Sequence, residues 1–283
     1  MRHKIENVIY AMHSGLALLL DVYQPTKANG LGIVYINGSG WHAPLAQNAQ
    51  PLKETPLGMA YIEALCAAGY TVFAINHRAA PRFHHPAAID DARRAVRFVR
   101  HHAQHYGIRA DRIGACGGSS GGHLVCLLGL QAAPALPDDQ DPVNRQSAQV
   151  QCVVARAPLV DLRRLVSGAA AGIVASYLGM PYRGEAQGGY AAEQTTYRDA
   201  SPLLHAAPDS PPLLLIHGDA DELVPFEQSQ LLLSALQEKG VASGLLTVPG
   251  GGHGPDFPGA ADAPDYLGAA ANWFDTHLAA AGS

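Results

Sequence analysis

The chain has 283 residues, 48 % of them hydrophobic and 15 % charged, enough apolar material for a sizeable core in one large α/β domain or two small ones. A formal charge of −5, a pI near 6.2 and the lack of any lysine/arginine stripe exclude nucleic acid as an expected partner. No apolar run is long enough to cross a membrane, Ile5-Glu6-Asn7 breaks any leader-like core, and Cys66, Cys116, Cys126 and Cys152 lack C-x-x-C spacing and read as buried free thiols, so a cytoplasmic protein is expected.

Lys4–Met12 and Leu16–Gln24 predict an opening hairpin turned at His13-Ser14-Gly15. The apolar run Leu31–Ile36 predicts a strand buried on both faces, ending in Asn37-Gly38-Ser39-Gly40-Trp41. A helix over Gly58–Ala68, stopped by Gly69, and a buried strand over Tyr70–Asn76 follow. Pro86 opens a helix with apolar positions at Ala88, Ile89, Ala92, Ala95, Val96 and Val99, expected to run to about His105 before Gly107. A strand through Ile113, a helix from His123 to Leu130, strands over Val150–Ala157 and Leu213–His217, a helix over Phe226–Lys239, a strand over Gly244–Val248 and a closing helix over Pro264–Ala281 complete the alternation. Alternating strands and helices argue an α/β fold, a mostly parallel sheet covered on both faces. No linker divides the chain, so residues 1–283 are expected to form a single domain. Ala132–Ser147 reads as a surface loop, and 161–212 as a cap-like insertion over the active site.

The run Arg112-Ile113-Gly114-Ala115-Cys116-Gly117-Gly118-Ser119-Ser120-Gly121-Gly122-His123 has the form strand, glycine-packed serine turn, helix: a nucleophile elbow, G-x-S-x-G. Such a turn lifts a serine clear of the sheet on strained backbone, and only very small neighbours fit beside it. It also aims the first N–H groups of the helix at the place where an oxyanion would form. Spacing allows either register, Gly117-x-Ser119-x-Gly121 or Gly118-x-Ser120-x-Gly122.

A serine hydroxyl needs a base, and the base an acid to fix its tautomer. Downstream acids on loops after strands are Asp221, Asp219 and Asp161. The base is read as His253, in Pro249-Gly250-Gly251-Gly252-His253-Gly254 after the last strand, where glycines let the loop bend toward the serine. His205 and His217 also lie downstream, His217 packing against the acid's loop. His101 and His105 share a helix face, but no H-E-x-x-H pattern or third ligand accompanies them, so a polar helix end is the reading and no metal or other cofactor is expected.

The elbow resembles the RIGxxGGSAGGHLA run of α/β-hydrolase esterases, which sets Ser119 as nucleophile and Ser120 in the place of the usual alanine. His217-Gly218-Asp219-Ala220-Asp221-Glu222-Leu223-Val224-Pro225 is similar to H-G-x-x-D-x-x-V-P, which makes Asp221 the acid. Asn37-Gly38-Ser39-Gly40-Trp41 resembles H-G-G-G-W, with Asn37 for the histidine, still able to bond backbone, and Ser39 for a glycine. Leu20–Pro25, Asn76–Pro81 and Pro86–Asp91 extend the likeness along nearly the whole chain. The group resembled lies near the hormone-sensitive lipases, in the branch of feruloyl and acetyl-xylan esterase-like proteins and arylformamidases.

The resemblance implies acyl transfer through Ser119, His253 and Asp221, with an oxyanion hole from the N–H groups of Gly38, Ser39 and Ser120. Trp41 and His42 would touch substrate, and Tyr177, Leu178 and Met180 would roof the pocket. The substrate would be a short-chain or small aryl or carbohydrate ester. The same triad would serve an arylformamidase, another amidase or a peptidase; a non-catalytic binding protein is the alternative of a different kind. The sequence is compatible with a homo-oligomer.

Overall fold

The computed structural model describes residues 3–44, 46, 49–181 and 191–279. Its strands are β1 (His3–His13), β2 (Leu16–Gln24), β3 (Gly32–Ile36), β4 (Thr71–Ile75), β5 (Ile113–Gly118), β6 (Cys152–Arg156), β7 (Leu213–Gly218) and β8 (Ser243–Val248). They form one sheet in the order β1-β2-β4-β3-β5-β6-β7-β8, antiparallel at the β1, β2 and β4 pairings and parallel from there on. The helices are α1 (Pro56–Ala67), α2 (Ala87–His101), α3 (Ser120–Leu130), α4 (Ala171–Leu178), α5 (Ala191–Asp199), α6 (Glu227–Glu238) and α7 (Tyr266–Phe274).

The central strands are apolar on both faces because both faces are covered. Along β3, Val34 and Ile36 enter the core beneath α2, α3 and α6, while Ile33 and Tyr35 enter the core beneath α1 and α7. Val153 and Ala155 of β6 take the first side, Cys152 and Val154 the second. The two-residue period of a strand thus feeds two cores at once. All four cysteines are buried and none forms a disulfide.

Element ends differ from the predicted ones where local chemistry decides. Helix α1 starts at Pro56, whose fixed φ and missing N–H suit a first helical position. Helix α2 stops at His101, and His102–Gly107 continue as turns. The closing helix is shorter than predicted, with α7 followed by a wider π turn over Asp275–Ala279. Within the insertion, α4 and α5 are helical, and residues 182–190 of the predicted cap lie outside the described residues. No helix among the described residues is long and apolar enough to cross a membrane.

Parallel strands all end on the same side of the sheet. The loops after β3, β5, β6, β7 and β8 therefore converge at one edge, where ligands of open α/β sheets bind.

Candidate active site

Ser119 sits between β5 and α3 at φ 54° and ψ −122°, a left-handed conformation that a side chain adopts only under strain. Glycine neighbours make this turn feasible. A Cβ on Gly117 would lie 2.7 Å from the Ile36 carbonyl oxygen, and one on Gly121 would lie 2.0 Å from the same atom. The register is therefore Gly117-x-Ser119-x-Gly121. Ser120 is fully buried in the first turn of α3.

Three of the predicted residues come together from three loops. His253 Nδ1 lies 2.7 Å from Asp221 Oδ2, and His253 Nε2 lies 3.0 Å from Ser119 Oγ. An ionised carboxylate only accepts, so Nδ1 carries the proton and Nε2 is free to accept from the serine hydroxyl. Asp221 is fixed in turn: its Oδ1 accepts from the N–H groups of Leu223 (3.0 Å) and Val224 (2.8 Å). Burial by itself would raise its pKa, but hydrogen bonds from His217, His253 and Val224 outweigh that and hold the carboxyl well below the usual carboxylate range.

His217 does more than pack against the loop. Its Nε2 lies 3.3 Å from Asp221 Oδ2 and 3.1 Å from the Val224 carbonyl, while Nδ1 lies 2.7 Å from Ser229 Oγ. The side chain is fully buried, so its orientation is set by these partners. The His217-x-x-x-Asp221 spacing carried this signal, because the residues lie at the end of β7 and in the turn after it.

The other acids and histidines serve elsewhere. Asp219 accepts from the Gly250 N–H at 2.7 Å and ties the acid's loop to the base's loop. Asp161 is buried and paired with Arg163 at 2.8 Å. His205 bonds the Asp199 carbonyl and Gln131.

After β3, Gly38 comes so close to the elbow that a Cβ there would lie 2.6 Å from the Gly118 carbonyl oxygen. Left-handed backbone falls on Gly40 and Trp41, not on Ser39, so the side chain at Ser39 is no obstacle. The Ser39 N–H donates to Ser120 Oγ at 2.9 Å. Asn37 departs from expectation: both of its side-chain polar atoms are buried with no hydrogen-bond partner among the described residues. Close packing on Gly58, where a Cβ would lie 2.0 Å from Asn37 Oδ1, holds it instead.

The Trp41 side chain is wholly buried. It stacks on Tyr177 (4.2 Å between ring centroids, 10° between planes), and its Nε1 donates to His123 Nδ1 at 3.1 Å. His42 Nε2 lies 2.8 Å from Ser176 Oγ, linking the loop after β3 to α4. Ser119 and His253 open on a cavity of about 450 Å³ that Trp41 and His42 also border. From the insertion, Ala170 and Ile173 reach its wall; Tyr177, Leu178 and Met180 do not. Tyr177 and Leu178 are buried in the core instead. Sequence reasoning passed over several lining residues, among them Thr55, Leu159 and Arg156, the last at the end of β6.

A strained serine between β5 and α3, backed by a histidine and an acid from the loops after β8 and β7, defines an α/β-hydrolase fold with a hydrolase-type site. Residues 20–236 match the BD-FAE family, and the chain belongs to that family. It is similar to the probable carboxylic ester hydrolase LipM of Mycobacterium tuberculosis, 33 % identical over 62 % of this chain and 39 % of LipM. Among solved structures, a truncated carbohydrate esterase from gut microbiota superposes with a TM-score of 0.78 at 29 % identity, covering 97 % of this chain and 95 % of that one. The acetyl ester-xyloside bifunctional hydrolase of Caldicellulosiruptor lactoaceticus gives 0.76 at 26 % identity, covering 95 % of each chain. The chain spans about two fifths to three fifths of the length of the curated mycobacterial relatives it matches.

Proposed function

We propose that this chain is a serine carboxylic-ester hydrolase that works through an acyl-enzyme on short-chain or small aryl or carbohydrate esters. The observation that carries this reading is the unbroken hydrogen-bond chain from Asp221 through His253 to Ser119, opening on a mostly apolar cavity. The carbohydrate esterase and the acetyl ester hydrolase among the structural relatives support the substrate class.

Ser119 Oγ attacks the ester carbonyl as His253 Nε2 takes its proton. Asp221 keeps Nδ1 protonated and stabilises the imidazolium that forms. Backbone N–H groups of Gly38, Ser39 and Ser120 receive the oxyanion. His253 then protonates the leaving alcohol, and water repeats the sequence to release the acid. The described part of the insertion over 161–212 serves as a cap on a single domain, with Ala170 and Ile173 at the cavity wall. The same groups would serve an amide, but no feature of the site favours an amide over an ester, and the complete triad speaks against a non-catalytic role.

Hydrolysis of p-nitrophenyl acetate and butyrate tests this. The wild type turns both over, and Ser119→Ala lowers kcat by roughly 10⁵- to 10⁶-fold. A phosphonate probe adds its mass to the peptide holding Ser119. Wild-type inactivity toward every ester tried, or labelling on another residue, would sink the reading.

A further inference from the structure

Arg156 stands beside the nucleophile. It pairs with Gly118 across β5 and β6, and its carbonyl accepts from the Ser119 N–H at 2.7 Å. Its side chain turns toward the loop that carries His253. The guanidinium lies over the Phe257 ring, 4.2 Å from the centroid, and Nη2 donates to the Gly254 carbonyl. That carbonyl is the guanidinium's single hydrogen-bond partner among the described residues. Nε and Nη1 are buried without one, the residue is 1 % exposed, and it makes no ion pair with any described residue. Asp256, on the same loop, accepts from Tyr266 instead.

A buried cation without a counter-charge is a costly arrangement, and proteins retain one where something else supplies the charge. Anchoring Gly254 would need one neutral donor. The Phe257 ring stabilises the charge in part, but it leaves Nε and Nη1 without hydrogen-bond partners. Arg156 also lines the cavity, and none of the described residues lining it is acidic. Thr55, which lines it too, has a buried Oγ1 that is likewise unpartnered. Leu159, Ile173, Leu223 and Val224 make another part of the wall apolar. The site thus has a polar, cationic portion beside an apolar one.

We infer that Arg156 is the receptor for a carboxylate, and that the ester this site is built for carries that carboxylate on the half lying against Arg156. The inference rests on the ester-hydrolase reading. To receive the carboxylate the guanidinium has to turn from the Gly254 carbonyl so that Nε or Nη1 reaches the cavity, whose lining includes Arg156. A carboxylate entering there meets a cation stripped of water, where the attraction is strong. The other half of the ester occupies the apolar wall.

Two matched ester pairs test this, one for each half of the molecule: 4-acetoxybenzoate against its methyl ester, and monophenyl glutarate against phenyl pentanoate. In at least one pair the wild type favours the carboxylate by about 10- to 100-fold in kcat/KM. Arg156→Gln brings that ratio close to one, and Arg156→Lys keeps part of it. A wild type that prefers the neutral ester in both pairs, or a ratio unchanged in Arg156→Gln, overturns the inference. Calorimetric titration of Ser119→Ala with benzoate and with glutarate supplies a readout independent of turnover. Binding of either, weakened about tenfold or more in the Ser119→Ala/Arg156→Lys protein, supports the receptor; binding of neither overturns it. That titration also decides the matter should Arg156→Gln fail to fold, or should no ester be hydrolysed, in which case the hydrolase reading alone has failed.

Discussion

The backbone N–H of Ser39 donates to the hydroxyl of Ser120 at 2.9 Å. In the free protein a group suited to holding an oxyanion is therefore already engaged by the side chain next to Ser119. It has to change partner when charge develops on the substrate. An ordinary hydrogen bond is worth about 1 kcal/mol net, or roughly fivefold in rate. Ser120→Ala removes the competing acceptor, so kcat on p-nitrophenyl acetate should rise by up to about fivefold. A fall of more than tenfold would mean that the hydroxyl orients the loop instead of competing for it.

Asp221 fixes the tautomer of His253, and Asn in its place would offer a donor where an acceptor is needed. Asp221→Asn should lower kcat by on the order of 10⁴ with KM little changed. His217, which touches Asp221 without reaching the cavity, positions the acid. His217→Asn should cost about 10- to 100-fold in kcat and again spare KM. A KM increase in either variant would place the residue in substrate binding.

Backbone crowding at Gly121 leaves no room for a methyl group. A Cβ there would sit 2.0 Å from the Ile36 carbonyl oxygen, so α3 and β3 would have to separate. Gly121→Ala should destabilise the fold by about 3 kcal/mol or more and shift the elbow. Urea unfolding of the purified variant measures this; a midpoint equal to that of the wild type contradicts it.

Burial pulls the His123 imidazole down to about 3, although its bond to the Ala200 carbonyl works in the other direction. The folded state then binds fewer protons than the unfolded chain, whose histidine titrates near 6.5. This contribution to stability is complete above about pH 6.5 and declines as pH falls toward about 3. His85, lowered to about 4, adds to the same trend. His123→Gln should melt lower than the wild type at pH 8, having lost its bond from Trp41, yet lose less Tm between pH 7 and pH 5. Equal losses in the two proteins would rule out His123 as a source of acid sensitivity.

Sequence patterns held more of the sheet than of the cavity wall. Alternating apolar runs and glycine stops announced every strand and most helices, because each of those features is local. The elbow and the loops carrying Asp221 and His253 stood out for the same reason, a strand end and a small-residue turn adjacent in the chain, while the choice of Ser119 over Ser120 and of Asp221 over Asp219 and Asp161 came from the family resemblance. Trp41 borders the cavity, in keeping with its place after the loop that follows β3. The burial of its side chain against Tyr177 of α4 was not legible, being a contact between residues far apart in sequence. Arg156 looked like any basic residue ending a strand. Its significance lies in lacking a counter-charge, which only the assembled surroundings reveal.

Strand β8 pairs only with β7, at one end of the sheet, and His253 follows it on the loop beyond. Ser119 rises from β5, near the middle of the same sheet, where neighbours hold it on both sides. By this placement the proposed nucleophile, Ser119, should belong to the part of the sheet that opens late, and the proposed base, His253, to a margin that opens earlier. Gentle heating or mild urea should therefore extinguish turnover while the central strands remain protected from hydrogen exchange. Recovery on cooling would need only the margin to zip shut again.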